Sequence, residues 1–296
     1  MEDIMRVATM TNLFRDQRGS DTLIGYIESM RRCKAAGFDV LDLNMCAMST
    51  GKTEFNNSDW MHQADKVREE AEKLGIVFSQ SHPPYRPTKF PHFKNQEDED
   101  YFNEITRRSI IISGMMGVKW AVMHPVTSIE NGEYNLKEDI ASNHEVFDPV
   151  IELAAKENVG IAFENMCDRD NKRRFGTTTF ELKSLIDSFN TDMVGACWDI
   201  GHGNRVYMDS VRPIREMGKY IKALHVDDNH GIGDDHLVPF LGNINWEGVM
   251  KALKEIGYEG DFVYEIKIND HMPDALKDSA AKFVAEVGRY LVSLSE

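Results

Sequence analysis

The stretch Gly160-Ile-Ala-Phe-Glu-Asn165 is a short apolar run that stops on an acid and an amide. Ile, Ala and Phe in succession suit a strand covered on both faces of a parallel sheet, not the alternation of a half-exposed one. Outward from it, runs of the same kind recur at Arg6–Met10, Val40–Met45, Val77–Ser81 and Trp120–His124. Three more follow it, at Val194–Asp199, Ile221–Val226 and Asp261–Ile266. Amphipathic segments lie between them. Leu23 to Ala36 stops at Gly37 and Met61 to Leu74 at Gly75, each a glycine suited to close a helix. Asp59 or Ser58 is expected to cap the second of these helices. Asn245 is expected to cap a helix from Trp246 to Ile256 that ends before Gly257. A Lys/Glu-rich segment, a glycine stop and then a strand recur at Lys34–Gly37, Glu72–Gly75, Lys156–Gly160 and Lys254–Gly257.

Strand–helix alternation implies right-handed crossovers and a parallel sheet. Eight such units in 296 residues fit a closed (β/α)8 TIM barrel, which typically occupies about 250 residues, better than an open doubly wound sheet. Spacing agrees: Asp42, His82, His124 and Glu164 stand at strand ends 40, 42 and 40 residues apart. No linker, low-complexity tract or break in composition divides the chain, so a single domain over residues 1–296 is expected. Two long insertions, Cys46–Asn57 and Pro83–Asp100, fall where loops of the C-terminal face would shape a site.

Composition narrows the partners. With 42% hydrophobic and 28% charged residues, the chain reads as a globular domain, not as a disordered one. Its 34 basic and 49 acidic side chains leave a net charge of −15, which argues against nucleic acid or an anionic membrane as partner. No apolar run reaches the roughly 18 residues of a membrane helix, and Met1 to Thr11 lacks a secretion signal, so a cytoplasmic location is expected. Cys33, Cys46, Cys167 and Cys197 form no CxxC pair and are expected to be reduced thiols.

Six consecutive strands end on a carboxylate or an imidazole: His82, His124, Glu164, Asp199 (with His202 close behind), His225 and Glu265. In a barrel these groups share one rim. Acids and imidazoles crowded together are poorly solvated unless a cation sits among them. Carboxylate oxygens with one imidazole nitrogen make a hard-leaning set that suits Mn²⁺ or Mg²⁺ best and also admits Zn²⁺ or Co²⁺.

The segment from His225 through His236 to Trp246 resembles the strand-seven signature of the xylose-isomerase-like TIM-barrel superfamily. Phe163-Glu164-Asn165, Trp198-Asp199-Ile-Gly-His202 and Tyr264-Glu265 are similar to its other motifs, in the same order. That superfamily holds sugar and sugar-phosphate isomerases and epimerases, inosose-processing enzymes and endonuclease IV. The resemblance implies that Glu164, Asp199, His225 and Glu265 bind one divalent metal, with Glu164 and Glu265 also acting as acid and base. It implies substrate contacts for His202, with His82 and His124 lining the sugar pocket. His236 stands where ketose epimerases place a substrate-binding arginine. Pro239-Phe240-Leu-Gly242 replaces a more usual Pro-Gly-x-Gly, and Asn245 replaces the common Asp before Trp246.

The expected activity is isomerisation or epimerisation of a sugar, sugar phosphate or polyol-derived ketone, by proton transfer through a metal-stabilised enediolate. A related dehydratase or lyase, like those acting on inosose, is a second reading. A third is an endonuclease IV-like trinuclear zinc phosphodiesterase, for which His82, His124, His202 and the Asp234-Asp235-His236 run supply the further ligands. Against it, Val-Asp-Asp-Asn after His225 departs from that family's Asn-Asp-Ser-Lys, and Asp199-Ile-Gly-His202 from its Asp-Thr-Cys-His. A non-enzymatic barrel, either a small-molecule sensor or an inactive relative, is the remaining class. The partner expected is a small carbohydrate, with a homo-oligomer of the chain also admitted. Arg169, Lys172, Arg173 and Arg174 read as a solvated loop before they read as a phosphate clamp, and His62, His92, His144 and His271 as surface residues. Trp246 reads as core, Trp198 as turned from the pocket, and Met45, Met48 and Met166 as apolar walls.

Overall fold

Each apolar run finds its neighbour in sequence order. The computed structural model describes residues 5–14, 24–86, 93–128, 134–168, 172–268 and 272–295. Its strands are β1 (Val7–Met10), β2 (Val40–Asn44), β3 (Val77–His82), β4 (Trp120–Met123), β5 (Gly160–Glu164), β6 (Val194–Asp199), β7 (Ile221–His225) and β8 (Phe262–Tyr264). All are parallel, in the order β7-β6-β5-β4-β3-β2-β1-β8. The sheet closes on itself where Val226 N–H donates to Val263 O at 2.8 Å and Glu265 N–H to Val226 O at 3.0 Å. The result is the expected TIM barrel.

Helices α1 (Tyr26–Ala36), α2 (Trp60–Leu74), α3 (Gln96–Met115), α4 (Leu136–Lys156), α5 (Thr179–Phe189), α6 (Ile200–Tyr207), α7 (Arg212–Met217), α8 (Trp246–Glu255) and α9 (Asp274–Ser293) follow the strands. Gly37, Gly75 and Gly257 adopt the left-handed conformation that ends a helix, as their positions predict. Three local expectations are corrected. Asp59 occupies the N-cap of α2 but its carboxylate accepts from Gln63 Nε2 instead of capping. In the fourth unit Asn158 makes the left-handed turn, and Gly160 is the first residue of β5. The insertion after β3 is shorter than read, because Asn95 caps α3 by accepting from Asp98 N–H at 2.9 Å.

Gly160 has its own reason to lack a side chain: a Cβ there would lie 2.3 Å from the Trp120 ring. Trp120 closes off a small cluster of Val122, Ala162, Cys197 and Ala223, separate from the main core. Phe163, Trp198 and Leu224, one residue out of step along the same strands, join the large core with the helices. Trp246 and Trp198 are both buried, as expected, and so are Met45, Met48 and Met166. The four cysteines are free.

The β7 loop that leads to α8 is organised by one buried carboxylate. Asp228 accepts from Asn229 N–H at 2.9 Å, Phe240 N–H at 2.9 Å, Ile244 N–H at 3.3 Å and Trp246 Nε1–H at 2.9 Å. Asn245 caps α8 through Gly248 N–H at 3.1 Å, so it does the work of the aspartate it replaces. Phe240 stands at φ 74°, the conformation the more usual glycine would adopt without strain. Because Asp228→Ala strands several buried donors, it should lower the unfolding free energy by about 3 kcal/mol or more in urea titrations. A loss under about 1 kcal/mol would show that the loop does not depend on this group.

Candidate metal centre and catalytic site

Side chains alternate along a strand, so a residue two places beyond an inward one also points inward. Glu164 follows Ala162, Asp199 follows Cys197, His225 follows Ala223 and Glu265 follows Val263, each by that step. One ligand atom from each of these four residues lies within 4.8 Å of the others. His225 Nδ1 is 3.0 Å from Glu265 Oε2 and 3.4 Å from Glu164 Oε2. Glu164 and Asp199 are almost wholly buried, and Glu265 keeps 22% of its side chain exposed.

Local structure presents each donor. Asp199 caps α6: its Oδ1 accepts from His202 N–H at 2.6 Å. Its other oxygen is left buried without a hydrogen bond, as are Glu164 Oε2 and both ring nitrogens of His225. Asn165 locks the β5 end to the β6 end, accepting from Asp199 N–H at 2.6 Å and donating to Asp199 O at 2.9 Å. Atoms this close but not aligned for mutual hydrogen bonds are the donor set a divalent cation would satisfy.

The four expected substrate residues lie around this group. His124 Nε2 is 3.0 Å and His82 Nε2 3.5 Å from Glu164 Oε2. Tyr85 stacks on His124 with ring centroids 5.0 Å apart, and its own ring is half exposed at the mouth. His202 Nδ1 donates to Asn165 O and His236 Nδ1 to Glu265 O, both at 2.8 Å. Their Nε2 atoms then face one carboxylate, Asp234, at 3.4 and 3.5 Å.

Three members were not singled out from sequence as part of the site. Asp42 is buried with its Oδ2 3.8 Å from His225 Nε2. Cys167 shares a donor group with His202 and Asp234, and Arg205 Nη1 donates to its Sγ at 2.5 Å. Asp227 is fully buried with neither oxygen hydrogen-bonded, and a Cβ on Gly201 would lie 1.9 Å from its Oδ1. Its place two residues after His225 was the one available signal. The basic run divides differently: Arg173 pairs with Glu181 and lies over Tyr134, while Lys172 is exposed. Arg169, His92 and His271 fall outside the described residues. His144, half-buried, bridges Asp148 and Ser188.

The comparisons with known proteins agree with this architecture. The family model described as xylose isomerase-like TIM barrel matches residues 30–286. The chain belongs to that family. An uncharacterised protein of Methanocaldococcus jannaschii is 30% identical over 158 residues, 53% of this chain and 52% of that protein, so the chain spans about half of that relative. The D-psicose 3-epimerase of Enterocloster bolteae is 23% identical over 256 residues, 81% of this chain and 76% of the enzyme. Among solved structures, a D-tagatose 3-epimerase-like protein superposes with a TM-score of 0.73 at 20% identity, covering 98% of each chain. Among the described residues no helix is long and apolar enough to cross a membrane.

Without a cation the cluster carries its own strain. Burial pushes the Asp199 carboxyl up to about 7, with the charges of Glu164 and Glu265 adding to it and His202 opposing. Burial also acts to raise Glu265, but the neighbouring His225 charge holds it down at about 2. A carboxyl whose folded value exceeds its unfolded value near 4 favours folding when protonated, so its contribution is lost as pH rises from about 4 through 7. In chelator, Asp199→Asn should therefore be the more stable protein at pH 8 by about 2 kcal/mol, the gain shrinking toward pH 4. Thermal unfolding across pH checks this, and a variant less stable at pH 8 would refute it.

Proposed function

We propose that this chain is a divalent-metal-dependent isomerase or epimerase that acts on a sugar, sugar phosphate or polyol-derived ketone. The observation that carries the reading is the convergence of Glu164, Asp199, His225 and Glu265 within 4.8 Å, with buried atoms that lack hydrogen bonds on three of them. The D-psicose 3-epimerase among its relatives supports a sugar as the substrate class. Oxygen-rich ligation favours Mn²⁺ or Mg²⁺, with Zn²⁺ or Co²⁺ also fitting. When bound, the cation acts as a Lewis acid on a chelated carbonyl and acidifies the adjacent C–H.

The residues divide the remaining work. Glu164 and Glu265 reach the centre from β5 and from just beyond β8, and both face His225 Nδ1. One takes the proton from the carbon and the other returns it, which inverts that carbon; a proton moved to the neighbouring carbon isomerises the sugar instead. His124 and His82, close to Glu164, and His202 and His236, on the side of Asp234, line the space for hydroxyl groups. Tyr85 forms an aromatic wall over His124. Glu164→Gln and Glu265→Gln should each stay folded and lose at least about 100-fold in turnover. The readout is solvent deuterium entering a ketose panel beside the carbonyl; near-wild-type exchange in both variants would discard the assignment.

One observation favours a second reading, the trinuclear phosphodiesterase. His82, His124 and Glu164 form one donor group. His202 with Cys167 and Asp234 forms another, and His236 with Asp227 and Glu265 a third, beside the central four. Metal analysis of protein purified without added metal separates the two. One Mn²⁺ or Mg²⁺ per chain is expected for the isomerase. Three zinc ions per chain, with cleavage of a phosphodiester, would replace that reading.

A further inference from the structure

Beneath the donor cluster, the inner faces of β2 and β3 hold a polar pair with no place in the proton transfers above. Asp42 is wholly buried and Gln80 nearly so. The register between the two strands shifts between Leu41 and Asp42, so that Asp42 stands opposite Gln80. Such an irregularity turns a side chain from the direction the regular ladder would give it. Gln80 Nε2 donates to Asp42 Oδ2 at 2.8 Å and to Leu224 O, on β7, at 3.3 Å. The other Asp42 oxygen has no hydrogen-bond partner.

What Asp42 faces is the back of His225. Its Oδ2 lies 3.8 Å from His225 Nε2, while His225 Nδ1 is turned toward Glu265 and Glu164. The His82 ring lies parallel to the same imidazole, centroids 5.5 Å apart and planes 9° apart. A buried carboxylate with one good hydrogen bond is costly, and an apolar pair would join β2 to β3 more cheaply. An imidazole can offer Nδ1 to a cation only with its proton on Nε2, and a carboxylate behind Nε2 favours that tautomer.

We infer that Asp42, steadied by Gln80, is a positioning residue that fixes the orientation and tautomer of His225 so that Nδ1 is presented to the metal centre. The inference deepens the proposed function and rests on it. Asp42→Asn keeps the shape and an acceptor for Gln80 but removes the charge. Titrating the metal-free proteins with Mn²⁺ alone, and following free Mn²⁺ by electron paramagnetic resonance, should show about 10- to 100-fold weaker binding in the variant. Its melting in chelator should remain cooperative, and the visible spectrum of the Co²⁺ form should shift. Gln80→Leu, which leaves Asp42 unsteadied, should weaken binding in the same direction but by less, and it decides the matter if Asp42→Asn does not fold. Wild-type affinity in the folded variant overturns the inference and leaves the metal reading intact. A wild-type protein that binds no divalent cation overturns the metal reading, and the inference with it.

Discussion

The two-residue repeat of the β-strand governs this molecule. Small side chains fill the barrel at Ala162, Cys197 and Ala223, and the next inward position on each of those strands is Glu164, Asp199 or His225. Closing the ring through Val226 and Val263 brings Glu265 to the same rim. A register slip of one residue would turn the acids toward the helices and Phe163 and Trp198 into the barrel. Packing of the outer layer and convergence of the polar cluster are thus set by the same alternation.

That coupling explains how much could be read in advance. The strands were visible because apolar runs between glycine-stopped helices leave few alternatives. The four converging donors were visible because each ends such a run, and the family resemblance ordered them. Asp42 and Asp227 were harder. Asp42 sits inside a strand, and its approach to His225 depends on a shift of register that no periodicity announces. Asp227 needs the missing side chain of Gly201 to find room, a contact between segments that are remote in sequence. Gly160 misled for a related reason. It follows a helix, as a stop would, yet its lack of a side chain serves the Trp120 ring, and Asn158 makes the turn instead.

Electrostatically, the rim is built against its own interest. Several carboxylates and imidazoles share a buried space; burial above all, with the charges of Glu164 and Glu265 adding to it, pushes the Asp199 carboxyl up to about 7, and several atoms lack hydrogen bonds. Folding tolerates this because the cost is spread over well-anchored supports. Asn165 ties β5 to β6, the amide of His202 holds one oxygen of Asp199, and backbone carbonyls hold His202 and His236. Rigidity on that scale is what a site needs if groups from different strands are to meet one small ligand.

The β7 loop extends this rigidity to the outside. Phe240 offers a half-exposed ring to solvent from a backbone conformation that few side chains accept, and its amide is tied to buried Asp228. The residue before Asp228 in the chain is Asp227, inside the cluster. The outer surface of the loop and the wall of the cavity are therefore mechanically continuous. Pressure on that aromatic knuckle, from a neighbouring macromolecule or from mutation, has a path of only two covalent neighbours and one hydrogen bond to the interior.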